Sequence, residues 1–182
     1  MYEVVDALLK EAIDARREHR AASAKHLLVE ALDLCRKSND RGRLAKTLTA
    51  LGQAERDLSH LDTARQHYEE VAFIYHADGQ PLRLAHTIRH IGDIHLDEGN
   101  LDKAERCYQA ALDLYRQNAE TPPLDLANTL RGMAILKGDL GHKEQARILW
   151  QEAGELYASV DVKAGVAESQ RRITLLSKSN SL

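Results

Sequence analysis

One segment of the sequence recurs with a period of about forty residues. The segment that starts at Arg43 reads RLAKTLTALGQAERDLSHLDTARQHYEE, and a shift of 40 residues aligns it with RLAHTIRHIGDIHLDEGNLDKAERCYQA. A further shift of 42 residues reaches DLANTLRGMAILKGDLGHKEQARILWQE. Self-similarity at a fixed period of this length is typical of stacked repeats, and it limits the possible folds more than any other feature of the chain.

Each unit carries the same order of small and large residues. The small residues recur twelve positions apart as the pairs Ala12/Ala24, Gly52/Ala64, Gly92/Ala104 and Ala134/Ala146. Four positions later comes a large residue: Leu28, Tyr68, Tyr108 and Trp150. Offsets of three, four and seven place side chains on one face of an α-helix, so each unit is predicted to be two helices that approach closely at the small residues. A single hairpin cannot bury its apolar face, and the units are therefore expected to stack.

The predicted fold class is all-α. We expect an α-α superhelix, or solenoid, of four helix-turn-helix repeats with a capping helix at the C-terminal end. Turn-forming clusters place the repeats at about 2–38, 41–78, 81–118 and 123–160, the capping helix at about 163–177, and all of them in one domain of residues 1–178. Residues 179–182 are expected to form a flexible tail.

The pattern resembles the tetratricopeptide repeat, whose signature is a large residue, then Leu-Gly, then Ala with an aromatic residue four positions later. The third unit matches it at Ile88, Ile91, Gly92, Gly99, Ala104, Tyr108 and Ala111. The period exceeds the usual ~34 residues, which suits the longer-helix subclass resembling kinesin light chains and bacterial regulatory repeat proteins. The resemblance implies a protein-binding scaffold without catalytic activity.

Composition and motifs exclude several functional classes. The net charge of −3 comes from 25 basic and 28 acidic residues that are well mixed, so neither a nucleic-acid nor a membrane partner is expected. No apolar window approaches the length of a membrane span, and we expect a cytoplasmic protein. Catalytic and nucleotide-binding motifs are missing, which predicts no enzyme activity and no cofactor. Cys35 and Cys107 are interpreted as core residues rather than a disulfide or metal pair.

The resemblance further implies that the first helix of each repeat lines a concave groove. Three rows of residues are predicted to face it: Leu9, Thr49, Arg89, Arg131 and Arg171; Ile13, Gln53, Asp93, Ile135 and Leu175; and Asp6, Lys46, His86, Asn128 and Glu168. His90, one helical turn after His86, is predicted to line the same groove. We predict a groove that binds a peptide or protein segment, with acidic residues toward the arginines and an apolar residue toward Leu9. The arginines could equally be solvated, or pair with neighbouring acids such as Asp93.

Two alternatives to peptide binding remain open. An apolar patch of Tyr2, Leu9 and Ile13 could support a homodimer. A stripe of His86, His90, Asp93 and Asp97 has the spacing of metal ligands on one helix face, although a solvated polar face is the favoured interpretation and no metal is predicted. His95 is expected on the packed side of the same helix.

Overall fold

The computed structural model describes residues 2–38 and 40–178, and all regular structure in these ranges is helical. Nine helices are described: α1 Tyr2–Arg17, α2 Ala21–Lys37, α3 Arg41–Asp57, α4 Leu61–Ala77, α5 Pro81–Asp97, α6 Leu101–Arg116, α7 Pro123–Asp139, α8 Lys143–Ser159 and α9 Lys163–Lys178. These ranges contain no strand, so the all-α prediction is confirmed. The predicted tail at 179–182 lies outside the described residues.

The helices group into two compact units. The first unit ends at Gln80 and contains α1 to α4, and the second begins at Pro81 and contains α5 to α9. Within each unit every helix packs against the next, and α1 touches α3 as α5 touches α7. Packing between nearest neighbours is typical of a solenoid, and it confirms the predicted repeat architecture. The single domain over residues 1–178 stays a prediction.

A left-handed residue makes the turn between the two helices of each repeat. Gly99 and Gly141 have φ of 74° and 78°, while His19 and Ser59 have φ of 59° and 62°. After the left-handed Gly99, the Asn100 N–H donates to the carbonyl of His95 at 2.8 Å. This bond satisfies a carbonyl that the helix end would leave open, so the chain can reverse within three residues.

Small residues at or near the repeated small positions accommodate buried rings. A Cβ atom added at Gly52 would lie 2.7 Å from the ring of Tyr68, and one added at Gly132 would lie 2.6 Å from the ring of Tyr108. Gly92 meets the same Tyr108 ring at 3.1 Å. The predicted core aromatics are buried: Tyr68, Tyr75, Tyr108, Tyr115, Trp150 and Tyr157. Helix approach therefore depends on glycine facing an aromatic ring.

In each unit an ion pair joins successive repeats. The acidic and the basic residue occupy exchanged repeat positions in the two units. In the first unit the Glu55 side chain is 3% exposed, and its carboxylate lies 2.9 Å from Lys25 Nζ and 2.7 Å from His60 Nδ1. In the second unit the same two repeat positions hold Lys137 and Glu105, which are 2.6 Å apart. Burial by itself raises the pKa of Glu55, but hydrogen bonds from Lys25 and His60 outweigh it and the net pKa is lowered.

Candidate functional site

The first unit contains a groove of about 610 Å³ between α1 and α3. It brings together five residues that the sequence predicts for the groove: Leu9, Ile13, Lys46, Thr49 and Gln53. Leu9 is 9% exposed, whereas Ile13 is 43% exposed. Such a surface can take an apolar side chain, because Ile13 still has much of its area in contact with solvent.

The rim of this groove has an excess of unpaired positive charge. Asp6 accepts two hydrogen bonds from Arg43, at 3.0 and 2.8 Å, and these bonds lower the pKa of Asp6. Asp14 lies 3.5 Å from Arg17, which also lines the groove. Lys10 and Lys46 line it as well, and neither forms an ion pair with a described residue. The two lysines are therefore available to an acidic ligand.

In the second unit, Arg89 belongs to a half-buried network on α5. Its Nη1 donates to Asp93 at 2.8 Å, and its Nη2 lies 2.8 Å from Nε2 of His90. The other carboxylate oxygen of Asp93 accepts the hydroxyl of Tyr108 at 2.9 Å. The side chains of Arg89 and Asp93 are only 11% and 15% exposed. Both Nη groups of Arg89 therefore have partners inside the protein, and its Nε is buried away from solvent.

The network continues through the histidine stripe to α7. His90 Nε2 lies 3.2 Å from His86 Nε2, and His86 Nδ1 lies 3.3 Å from Asp125. The hydrogen bond with His86 lowers the pKa of Asp125 against the opposing effect of burial. Arg89 always donates, so the facing nitrogen of His90 must accept, and its lone pair is not open to a metal. Within residues 2–38 and 40–178 no three His, Cys, Asp or Glu side chains are grouped to hold a metal ion.

Two further contacts hold α7 against the helices that follow it in the second unit. Arg131 forms a fork with Glu168 of α9, with donor–acceptor distances of 2.8 and 2.9 Å, and this pairing lowers the pKa of Glu168. Asn128 accepts the hydroxyl of Tyr157 at 2.8 Å. Arg171 is exposed. The predicted arginine row therefore holds two members that already contact carboxylates and one that faces solvent.

The remaining predicted positions differ in their surroundings. Ile135 is half-buried and lines a cavity of about 220 Å³ beside Trp150 and Leu175. Asp97 is exposed at the end of α5. His95 is 8% exposed, which confirms its predicted place on the packed side.

Sequence reasoning missed Lys10 and Asp125. Lys10 shares its repeat position with Ala50 and His90, so the register contained a signal for it. Asp125 had no such signal, because Arg43 and Arg83 occupy its position in the preceding repeats. Its contact with His86 depends on the way α5 and α7 lie together.

Stacked two-helix units, with the first helices of neighbouring repeats in contact, define the class of helical repeat proteins. The tetratricopeptide repeat family matches residues 83–159, from within α5 to the end of α8. This segment is similar to the family, and the chain has the tetratricopeptide-like repeat fold. Proteins of this family generally serve as scaffolds for protein–protein interaction rather than as catalysts.

Solved structures with the same fold cover nearly all of this chain. BtubC (BKLC) from P. vanneervenii aligns with a TM-score of 0.69 and 16% identity over 94% of this chain and 79% of its own. A kinesin light chain-like protein of nearly identical repeats from P. anserina aligns with a TM-score of 0.77 and 12% identity over 97% of this chain and 86% of its own. A signal-transduction ATPase with a tetratricopeptide repeat sensor, from Pyrococcus horikoshii, aligns with a TM-score of 0.83 and 16% identity. The alignment covers 94% of this chain but only 26% of the ATPase.

At these identities the likeness shows the fold alone. No curated protein matches the chain in sequence. Among the described residues, no helix combines the length and apolar character needed to cross a bilayer.

Proposed function

We propose that the chain is a protein-interaction module whose first unit binds a partner segment in the groove between α1 and α3. The observation that carries the proposal is the apolar surface of Leu9 and Ile13 beside two lysines without an internal partner. The preferred segment presents one apolar side chain toward Leu9 and acidic side chains toward Lys10 and Lys46. Its apolar residue supplies contact area, and its acids supply orientation.

The acidic preference follows from the charges that remain after internal pairing. Asp6 is bound by Arg43, which also pairs with Asp40, and Lys46 acts on the charge of Asp6 as well. The groove lining nevertheless carries three basic side chains, Lys10, Arg17 and Lys46, against the two acidic ones, Asp6 and Asp14. Pairs between exposed charges contribute only about 0.2–1 kcal/mol each, and their main effect is on selectivity. We therefore expect the apolar residue to set affinity and the lysines to set the sign of the preferred charge.

Two pools of synthetic peptides of equal length test this proposal. Both carry a central leucine, and they differ only in whether acidic or basic residues flank it. The wild-type chain is expected to prefer the acidic pool in fluorescence anisotropy, and Ile13→Asp is expected to weaken that binding by about tenfold, or ~1.4 kcal/mol. Ile148→Asp is the matched control, because Ile148 is a 53% exposed isoleucine of the second unit, outside the groove.

Charge reversal of the rim gives an independent prediction. A variant with Lys10→Glu and Lys46→Glu is expected to lose the preference for acidic flanks and to favour basic ones, because the groove floor is unchanged while the rim becomes negative. Equal binding of both pools by wild type, or equal weakening by Ile13→Asp and Ile148→Asp, would refute the groove as the binding site.

Self-association is the alternative occupant of the same surface. Tyr2 is 49% exposed on the same face of α1 as Ile13. Light scattering over a range of concentrations separates the two cases: a dimer that Ile13→Asp converts to a monomer would assign the surface to a second copy. The absence of a nucleic-acid partner and the cytoplasmic location stay predictions.

The arginine row is proposed as a secondary acidic contact in the second unit. Arg171 is exposed, and the guanidinium of Arg131 is 41% exposed outside its contact with Glu168. Arg171→Glu is expected to weaken binding of the acidic pool less than Ile13→Asp does, since a pair between exposed charges contributes only about 0.2–1 kcal/mol. An equal loss would move the principal contact to the second unit.

A further inference from the structure

One histidine of the first unit occupies a repeat position that is apolar elsewhere. His67 lies three residues after Ala64, the small residue of α4 that allows this helix to pack closely against α3. The same position holds Leu27 in α2, Cys107 in α6 and Leu149 in α8. Leu27 and Leu149 pack against the hydrophobic core of their units. His67 therefore presents an ionisable ring where the other repeats present an uncharged, core-facing side chain.

The acids near His67 already have other partners. Glu55 of α3 is bound by Lys25 and His60, and Glu70 of α4 lies 3.1 Å from Arg36 of α2. Lys25 and Arg36 also act on His67 as positive charges from α2. Among the described residues His67 has no hydrogen-bond partner. A protonated ring would thus be a half-buried charge that must compete with two cations for two occupied carboxylates.

The histidines of the second unit have different surroundings. His86 lies 3.3 Å from Asp125, and His95 lies 3.2 Å from Glu98. His90 lies 3.6 Å from Asp93, although the guanidinium of Arg89 also faces it. His86 and His95 therefore each have a carboxylate within 3.3 Å, and His142 is exposed. The other described histidines of the first unit, His19, His26, His60 and His76, are exposed.

We propose that His67 makes the first unit acid-sensitive: protonation of its ring opens the packing of α4 on α2 and α3 in mild acid, while the second unit stays closed. The other repeats avoid this response because they carry leucine or cysteine at the same position. The device would act on the same unit that carries the α1–α3 groove, but it does not depend on the proposed function.

The direction in which the stability of the first unit changes with pH follows from proton linkage. Burial is the main cause that lowers the pKa of His67 below the ordinary value of about 6.5. The unfolded chain therefore binds more protons than the folded chain as the pH falls below about 6.5, and stability is lost on acidification. Ordinary Asp and Glu side chains titrate near 3.9 and 4.3, so about pH 5 to 6.5 isolates the histidine effect from Glu55, Asp125 and Glu168, whose pKa values are lowered.

Hydrogen exchange with mass spectrometry tests the inference, because peptides of the second unit provide an internal reference in each sample. Between pH 7.5 and 5.5 we expect protection of α2 and α4 to fall relative to α6 and α8 by up to about tenfold, because pH 5.5 lies about one unit below the ordinary histidine pKa at which the unfolded chain takes up the proton. In His67→Leu the ratio is expected to stay constant. In the control His76→Leu, which changes an exposed histidine of the same helix, the drop is expected to persist.

Three results would overturn the inference: a parallel loss of protection in both units, a drop that survives in His67→Leu, or a drop abolished by His76→Leu. If His67→Leu does not fold, His67→Cys introduces the residue that α6 carries at this position. A titration of the His67 ring protons by NMR gives a second measurement on the wild-type chain. A midpoint at or above about 6.5 would also contradict the proposal.

Discussion

Replacing Tyr108 with alanine is expected to lower the free energy of unfolding by about 3–5 kcal/mol, the range for removal of a buried aromatic ring. Tyr108 is fully buried, and its ring lies between Gly92 of α5 and Gly132 of α7. Its removal leaves a cavity that two glycines cannot fill. Urea unfolding followed by tryptophan fluorescence measures the effect, because Trp150 is the only tryptophan of the chain and lies in the same unit.

The conservative variant Tyr108→Phe separates packing from hydrogen bonding. It keeps the ring but removes the donor to Asp93, and we expect a loss of about 1.5–3 kcal/mol, the range for hydrogen bonds to charged groups. Asp93 keeps its bond from Arg89. If Tyr108→Phe were as damaging as Tyr108→Ala, the hydroxyl rather than the ring would dominate, and the account of glycine and aromatic packing would be wrong.

Two glycines of α7 are expected to respond to alanine in opposite directions. At Gly132 an added Cβ would lie 2.6 Å from the buried Tyr108 ring, so Gly132→Ala is expected to destabilise the second unit by about 1–3 kcal/mol. At Gly138 nothing lies within 4 Å of an added Cβ, and Gly138→Ala is expected to stabilise it by about 0.5–1 kcal/mol through helix propensity.

This pair of variants is its own control, because both residues lie in one helix and undergo the same chemical change. The same fluorescence-detected unfolding measures both. Similar shifts in stability for Gly132→Ala and Gly138→Ala would show that the Tyr108 ring moves freely to admit a methyl group. In that case the spacing of small residues would reflect helix approach in general rather than contact with this ring.

The local structure of the chain could be predicted well because its determinants are local. The spacing of Gly52, Ala64 and Tyr68 sets which face of each helix is small and which is large, and this spacing recurs in every repeat. Helix packing follows from that pattern because each face can be buried only against the neighbouring helix. The core aromatics and the buried His95 were predictable for the same reason.

The candidate site was predicted less completely. The repeat register places Leu9, Ile13 and Lys46 on one surface, and they line the groove of the first unit. The sequence left open whether Arg89 binds a ligand or pairs with Asp93, and it did not reveal the contact of Arg89 with His90 or that of Arg131 with Glu168. Which arginine is left for a ligand depends on differences of a few ångströms between side chains of different helices.

The amino-acid sequence alone determined the helical repeat, its period and the positions that form its core, because these depend on helix periodicity and residue size. The tertiary structure decided which charges remain available. Arg131 and Glu168 lie 37 residues apart, and His86 and Asp125 lie 39 apart. Charges at such separations pair only after helices of neighbouring repeats have docked, since Coulomb and hydrogen-bond energies depend on distances that helix periodicity does not specify.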